Sequence, residues 1–177
     1  MRRLLGWILL VAGIGFALAG LFDAATAWWD QPIVGTALDK SIPAVPDGFA
    51  AKLEIPRLDA SLYVVKAKTS RDFRRGPGYI VGSSLPGQSG NTIIAGHRDL
   101  HFRVLKDIAV GDVIEIETKQ GRFRYRVSST QIVGAKDRDA LRPSYPQQLT
   151  LVTCYPFYYV GPAPKRFLVK AYLLNQS

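Results

Sequence analysis

The sequence predicts an all-β domain, either one closed barrel or a sandwich, and three observations lead to this fold class. About seven or eight short apolar or alternating runs are separated by turn signals over roughly 125 residues. The composition, with 16 glycines, 11 prolines and 11% aromatic residues, is typical of strands and turns rather than of a helical bundle. No long helical segments alternate with the runs, which excludes a Rossmann-type nucleotide-binding domain.

The first strands of this domain begin at about Lys52. "KLEIP" alternates, with Leu53 and Ile55 expected to point inward, and it ends at Pro56. "SLYVVKA" is expected to form the next strand, and "NTIIAG", residues 91–96, a later strand that a glycine ends.

One short helix and four further strands complete the predicted domain. "HFRVLKDI" carries Phe102, Leu105 and Ile108 at helical spacing, which predicts one or two helical turns. "VIEIET" and "RFRYRVSS" both alternate strictly on either side of "KQG", so we expect them to pair as a hairpin. "QLTLVTC" and "RFLVKAYL" are two more strands, joined by an aromatic loop that contains prolines.

The N-terminal region predicts a membrane anchor. Residues 4–22 are uncharged and almost wholly apolar, and their length is close to the ~20 residues that a helix needs to cross a bilayer. Arg2 and Arg3 precede this stretch, and the positive-inside rule then leaves the short N-terminus in the cytoplasm. Trp28 and Trp29 suit the opposite membrane interface.

A cleaved signal peptide is the alternative interpretation. "ATA" at residues 25–27 has the small residues of a cleavage site, but the apolar stretch exceeds the ~7–15 residues usual in signal peptides, which favours a retained anchor. From Asp30 to Ala50 there are three prolines and no sustained periodicity, which indicates an irregular linker. The predicted organisation is a cytoplasmic tail (1–3), a transmembrane anchor (4–22), a linker (23–50) and the β-domain (51–177).

The charge and cysteine content limit the possible partners. A net charge of +9, from 23 Lys and Arg against 14 Asp and Glu, is compatible with nucleic acid, anionic lipid or an acidic polymer. The basic residues are scattered and no nucleic-acid motif accompanies them, so we predict no nucleic-acid partner. The single cysteine cannot form an internal disulfide, and a free thiol in an exported domain needs another explanation.

Three polar residues lie at predicted strand ends. Cys154 ends one strand, His97 follows "NTIIAG", and Arg166 begins the last strand. A nucleophilic thiol needs a base or positive charge beside it and a donor for the oxyanion, and these residues supply both if they meet at one rim of the barrel. Taken singly, Cys154 also fits a small buried apolar residue, His97 a turn and Arg166 a surface ion pair.

The sequence resembles a known family in the same stretches. "TLVTC", residues 150–154, resembles the Thr-Leu-x-Thr-Cys signature of the sortases, which are membrane-anchored cysteine transpeptidases. "IAGHRD" resembles the stretch around the sortase histidine, and "APKRFLVKA" resembles the strand that bears the sortase arginine. The likeness spans nearly the whole exported part. "GPGYIVGSSLPGQSGNTIIAGHRD" and "TCYPFYYVGPAPKRF" are most similar to class D, including the forms found in Gram-negative bacteria.

This resemblance implies a closed eight-stranded barrel with short helices and a defined reaction. Cys154 would attack a Leu-Pro-x-Thr-Gly-like sorting signal of an exported protein after its threonine and form a thioester. An amine of the cell envelope or of another protein would then resolve the thioester. His97 would act as general acid and base, and Arg166 would hold the substrate backbone or oxyanion.

Further expectations concern the substrate groove and the surroundings of the enzyme. Thr153, Tyr155 and Phe157 are expected to contact the substrate, and His101 to lie at the surface or behind the site. The resemblance places the anchor in the cytoplasmic membrane of a bacterium, with the catalytic domain facing the periplasm or the exterior. No cofactor or metal is expected. In particular, we expect no dependence on calcium, because residues 71–96 contain only one acid, Asp72, whereas calcium requires several oxygen ligands.

Two other functions remain open at this point. An L,D-transpeptidase would also use a cysteine and a histidine, but its His-Gly-Cys-x-Arg type of motif does not match the Tyr-Pro-Phe that follows Cys154. A non-catalytic, membrane-tethered barrel that binds an acidic polymer would leave Cys154 buried. Reaction of the folded protein with a thiol probe distinguishes this barrel from both enzymes.

Overall fold

The computed structural model describes residues 49–176 apart from residues 68, 70, 138–140, 143 and 145. The strands in chain order are β1 (Phe49–Ile55), β2 (Ala60–Lys66), β3 (Gly78–Tyr79), β4 (Asn91–Gly96), β5 (Val113–Thr118), β6 (Gly121–Gly134), β7 (Gln148–Tyr155) and β8 (Lys165–Gln176). They close into one barrel in the order β1-β2-β3-β4-β7-β8-β6-β5. The closed eight-stranded β-barrel expected from the sequence is confirmed.

Short helices connect some of these strands. They are the 3₁₀ helix η1 (Pro56–Leu58), the α-helix α1 (Asp72–Arg75) and the 3₁₀ helix η2 (His101–Asp107). Within the described ranges, no helix has the length and apolar character needed to cross a membrane. The predicted anchor at residues 4–22 lies outside the described residues, as does the linker up to residue 48.

Alternation along the strands explains which side chains fill the barrel. Leu53 and Ile55 of β1 are fully buried, as their spacing predicts. The predicted hairpin is present as β5 and β6, which pair antiparallel from Val113 opposite Arg126 to Thr118 opposite Gly121. Its inward residues Ile114, Ile116, Phe123 and Tyr125 belong to the core cluster. The cluster also includes Val64, Ile94, Phe102, Leu105, Leu149, Leu151 and Val169.

The helical prediction for "HFRVLKDI" is confirmed, and the helix is of the 3₁₀ type. Phe102 and Leu105 are fully buried, and Ile108, just beyond the helix, packs against the core. A spacing of three residues fits the 3₁₀ helix, in which side chains three apart lie above one another. η2 therefore covers the barrel at the end of β4.

The neighbours of β7 determine the geometry of the site. β4 pairs with β7 in parallel, whereas β8 pairs with β7 antiparallel. A buried polar network joins β4 to β7 near their first residues: Gln148 Nε2 donates to Thr150 Oγ1 (2.9 Å), and Thr150 Oγ1 donates to Asn91 Oδ1 (2.7 Å). These side chains satisfy one another away from water, which stabilises a parallel pairing between segments far apart in the sequence.

Candidate active site

Two parallel strands and one antiparallel strand bring three polar residues to the same rim of the barrel. Because β4 and β7 are parallel, with Gly96 opposite Thr153, both strands end at this rim. His97 follows Gly96 and Cys154 follows Thr153 in the chain. β8 runs in the opposite direction and begins at this rim, so Arg166 is the direct cross-strand partner of Cys154.

Cys154 and Arg166 lie on the outer face of the barrel wall. Leu149 and Leu151 of β7 belong to the core, and Cys154 has the opposite phase along the strand. Directly opposed residues of neighbouring strands point to the same side, with Cβ atoms typically about 4.5–5.5 Å apart. The Cys154 side chain is free and half-buried, so its thiol is partly open to solvent.

Local backbone carbonyls orient the guanidinium of Arg166. Its Nη1 donates to the carbonyl oxygens of Ala163 (3.2 Å) and Lys165 (2.9 Å). Among the described residues, the other guanidinium nitrogens of Arg166 have no hydrogen-bond acceptor. One side of the fork is therefore held by the protein, and the other side remains available to a bound molecule.

His97 is exposed at the rim and packs against an aromatic ring. The Phe73 ring of α1 meets the His97 imidazole edge to face, with ring centroids 6.2 Å apart and an interplanar angle of 79°. The residue before the histidine must be small, because a Cβ atom on Gly96 would come within 2.7 Å of the Phe102 ring. This close approach lets η2 pack against the end of β4.

His101, the other histidine, connects η2 to α1. Its Nε2 lies 3.2 Å from the carbonyl oxygen of Arg74, so this nitrogen carries the proton and donates. Burial lowers the pKa of His101, and the nearby His97 acts in the same direction. His101, at the start of η2, therefore contacts α1, the helix that also carries Phe73. In the described part of the chain, no three histidine, cysteine or carboxylate side chains lie close enough together to hold a metal ion.

Thr153 lies in a different environment from the one expected of a substrate-contacting side chain. It is only 2% exposed, and its Oγ1 donates to the carbonyl oxygen of Gly96 at 2.8 Å. The side chain faces the interior because its phase along β7 is that of Leu151. The contact of Thr153 with substrate stays a prediction, and in the structure its hydroxyl joins the ends of β4 and β7.

Tyr155 and Phe157, which follow Cys154 in the chain, form an aromatic cluster with Phe167. Tyr155 meets Phe157 edge to face at 5.9 Å and stacks on Phe167 at 6.3 Å, and Phe157 and Phe167 are 5.3 Å apart. All three are half-buried, and Phe157 and Phe167 pack against the core. The cluster therefore has one side in the protein and one side open, as the wall of an apolar groove requires.

Two residues near the site were not selected in the sequence analysis. Phe73 had no local signal, since nothing in "RDFRR" indicates that its ring reaches the end of a strand more than twenty residues later. Arg98 lies within the "IAGHRD" stretch, and its guanidinium binds carbonyl oxygens of the segment after β7. Its position directly after His97 was the only feature of the sequence that could have indicated a role at the site.

Comparisons with known proteins agree with this geometry. Residues 53–174 match the family described as the Sortase domain. Sortase D of Bacillus subtilis (strain 168) is 36% identical over 118 residues, which are 66% of this chain and 60% of that protein. The chain therefore spans less than two thirds of the length of this relative.

Solved structures of similar fold lead to the same family. The Sortase D5 transpeptidase of Clostridium perfringens matches with a TM-score of 0.64 and 26% identity, over 72% of this chain and 79% of that one. Sortase A from Corynebacterium diphtheriae matches with a TM-score of 0.66 and 30% identity, over 72% and 61%. The matched family region contains His97, Cys154 and Arg166, and the likeness to Sortase D supports the class D resemblance. The chain belongs to the sortase family.

Proposed function

We propose that this chain is a cysteine transpeptidase. It cleaves a Leu-Pro-x-Thr-Gly-like sorting signal near the C-terminus of an exported protein and transfers that protein to an amine. The observation that carries the proposal is the direct pairing of Cys154 with Arg166 at a rim that the end of β4, with His97, also reaches. Membership of the sortase family supports the same assignment.

The first half of the proposed reaction forms a thioester. The Cys154 sulfur, as the thiolate, attacks the carbonyl carbon of the signal's threonine, and the carbonyl oxygen becomes an oxyanion. The nitrogens of Arg166 that have no acceptor among the described residues donate to this oxyanion or to the adjacent backbone. Protonated His97 gives its proton to the departing glycine amine as the carbon–nitrogen bond breaks.

The second half forms the new amide bond. An amine attacks the thioester carbon, neutral His97 accepts a proton from the attacking nitrogen, and the Cys154 thiolate leaves. The thiolate and the imidazolium are then restored, so the cycle balances without a cofactor.

The aromatic cluster supports the apolar part of the proposed substrate. Tyr155 and Phe157 follow Cys154 closely in the chain. The exposed parts of their rings would receive the leucine and proline of the signal. Thr153 is buried, and its hydrogen bond to Gly96 would keep the ends of β4 and β7 together at the groove.

The organisation of the whole chain is part of the proposal. Residues 1–3 would remain in the cytoplasm, residues 4–22 would span the cytoplasmic membrane, and residues 23–50 would link this anchor to the domain at 51–177. The catalytic domain would then face the periplasm or the exterior, where exported substrates arrive. The hydropathy and the flanking charges of the N-terminal stretch support this arrangement.

Trapping the acyl-enzyme tests the proposed reaction directly. The full chain, purified in detergent micelles, is mixed with a peptide that carries the sorting signal, and intact-protein mass spectrometry follows the product. We expect a mass increase equal to the peptide up to its threonine, which an added amine removes, and no increase for Cys154→Ala. A native protein that reacts with thiol probes but never acylates would contradict the assignment, whereas an unreactive thiol would favour a binding barrel.

A further inference from the structure

A single arginine fastens the loop after β7 to the segment after β4. The β7–β8 loop, residues 156–164, follows the strand that carries Cys154. Nη2 of Arg98 donates to the carbonyl oxygens of Tyr159 (2.7 Å) and Gly161 (3.2 Å) in this loop. The Arg98 guanidinium also lies over the Tyr159 ring, 5.7 Å from its centroid.

Arg98 is half-buried, and part of its guanidinium is shielded from water. Its Nη1 atom is buried and has no hydrogen-bond partner in the described part of the chain. Hydrogen bonds from a charged donor are stronger than neutral ones, particularly where water is excluded.

In the described part of the chain, the other hydrogen bonds to the backbone of the loop lie at its ends rather than at its tip. Near its last residues, Ala135 N donates to the carbonyl oxygen of Pro164, and Arg166 binds that of Ala163. Near its start, Phe157 packs in the aromatic cluster. The tip buries little apolar surface, since Val160 is 98% exposed. The hydrogen bonds that hold the backbone of the tip thus come from Arg98.

A second arginine contacts the same loop more weakly. Arg103 of η2 lies 5.2 Å from the ring centroid of Tyr158, and its hydrogen bond lowers the pKa of the Tyr158 hydroxyl. Tyr158 is 70% exposed, so water competes with this contact. Arg103 therefore offers a matched control: it contacts the same loop from the same segment, without bonds to the loop backbone.

We propose that Arg98 is a positioning residue that holds the β7–β8 loop beside His97 and thereby sets the width of the substrate groove. The residue lies directly after His97, and the loop begins two residues after Cys154, so the bond joins the two sides of the site. An arginine suits this role because its Nη2 donates to two carbonyl oxygens while the planar guanidinium lies over the Tyr159 ring, whereas lysine is a point charge without such a plane. The kinetic part of this inference rests on the proposed transpeptidase function.

The kinetic experiment compares Arg98→Ala, Arg98→Lys and the control Arg103→Ala in the full chain. Both Arg98 variants are expected to raise KM for a sorting-signal peptide about 10- to 100-fold, as the loss of a charged hydrogen bond implies. Their kcat should stay within about threefold and keep the wild-type pH profile, because the reacting groups are unchanged. Arg103→Ala should change KM by less than about threefold, as an exposed cation–π contact is weak.

A second measurement does not depend on activity. Chymotrypsin cleaves after tyrosine, and Tyr158 and Tyr159 lie in the loop that Arg98 holds. We expect Arg98→Ala and Arg98→Lys to be cleaved there at least about tenfold faster than wild type at an unchanged thermal midpoint, with Arg103→Ala much closer to wild type. Unchanged cleavage, or a fall in kcat with unchanged KM, would overturn the inference. If the wild-type protein turns over no peptide, the proposed function fails, and the cleavage rates alone decide the role of Arg98.

Discussion

Cys154 and Arg166 are direct cross-strand partners on β7 and β8, although the aromatic loop separates them in the chain. An antiparallel pairing in this register puts a residue with a thiol and a residue with a guanidinium opposite each other on the same face of the barrel wall. The parallel pairing of β4 with β7 brings His97 to the same level. The two kinds of strand pairing together assemble the site, and the predictions below address its parts one at a time.

Arg166 is expected to require its planar fork. Arg166→Lys should lose nearly as much activity as Arg166→Ala, because a lysine keeps the charge but cannot serve the loop carbonyls and the substrate at once. Turnover of a sorting-signal peptide checks this. Lys165→Ala is the control, since Lys165 is exposed and has the opposite phase along β8. Near-wild-type turnover by Arg166→Lys would mean that charge alone matters.

The two histidines should differ in their effect on rate. His97→Ala is expected to lower turnover at least ~10²-fold, the lower limit for a lost general acid and base. His101→Ala should lower it less than about tenfold, because His101 contacts the helix behind the site rather than the rim. Steady-state kinetics with one peptide measures both variants. The reverse order would assign the proton transfer to His101.

His101 should also make stability depend on pH. Burial holds its pKa in the folded protein below the ordinary value, so the unfolded chain binds the proton more readily. Its contribution is complete above the unfolded pKa of about 6.5 and is lost as the pH falls through the folded pKa. Urea unfolding between acid and neutral pH measures this effect. In His101→Gln the loss towards acid pH should be smaller, and an identical pH dependence would exclude His101 as its source.

Thr153 and Thr150 allow a matched test of the β4–β7 pairing. Both hydroxyls are buried, but Thr153 bonds to Gly96 next to His97, whereas Thr150 bonds to Asn91 near the start of β4. Each change to valine should lower the free energy of unfolding by about 1–3 kcal/mol, because a buried partner is left unsatisfied. Only Thr153→Val should also lower turnover. Equal turnover in both variants would show that this hydrogen bond does not position the rim.

The N-terminal anchor is tested by fractionation. The native protein should be recovered with the membrane and should keep its N-terminus, because residues 4–22 are long and apolar enough to span a bilayer. Cell fractionation followed by N-terminal sequencing decides the matter. A mature chain that begins at Trp28 and is free in the periplasm would establish cleavage after Ala27.

Much of the secondary structure follows from local patterns. Leu53 and Ile55 alternate with polar neighbours and are buried, and "NTIIAG" forms a strand with the expected bounds, Asn91–Gly96. The three-residue spacing of Phe102 and Leu105 indicates the short helix η2. These features are readable because side-chain direction repeats every two residues in a strand and about every three in a 3₁₀ helix. The same patterns show where strands begin and end, so Cys154, His97 and Arg166 could be selected as polar residues at strand ends.

The partners of those strands depend on the folded barrel. The pairing of β4 with β7 joins residues 57 positions apart, and neither strand carries a local signal for it. The inward direction of Thr153, the contact of Phe73 with His97 and the bond from Arg98 to the β7–β8 loop all follow from that closure. Such contacts arise when the whole chain buries its apolar faces at once, because the free energy that selects a register is shared among distant segments. Local alternation therefore identifies the chemical groups of the site, and only the closed barrel determines their neighbours.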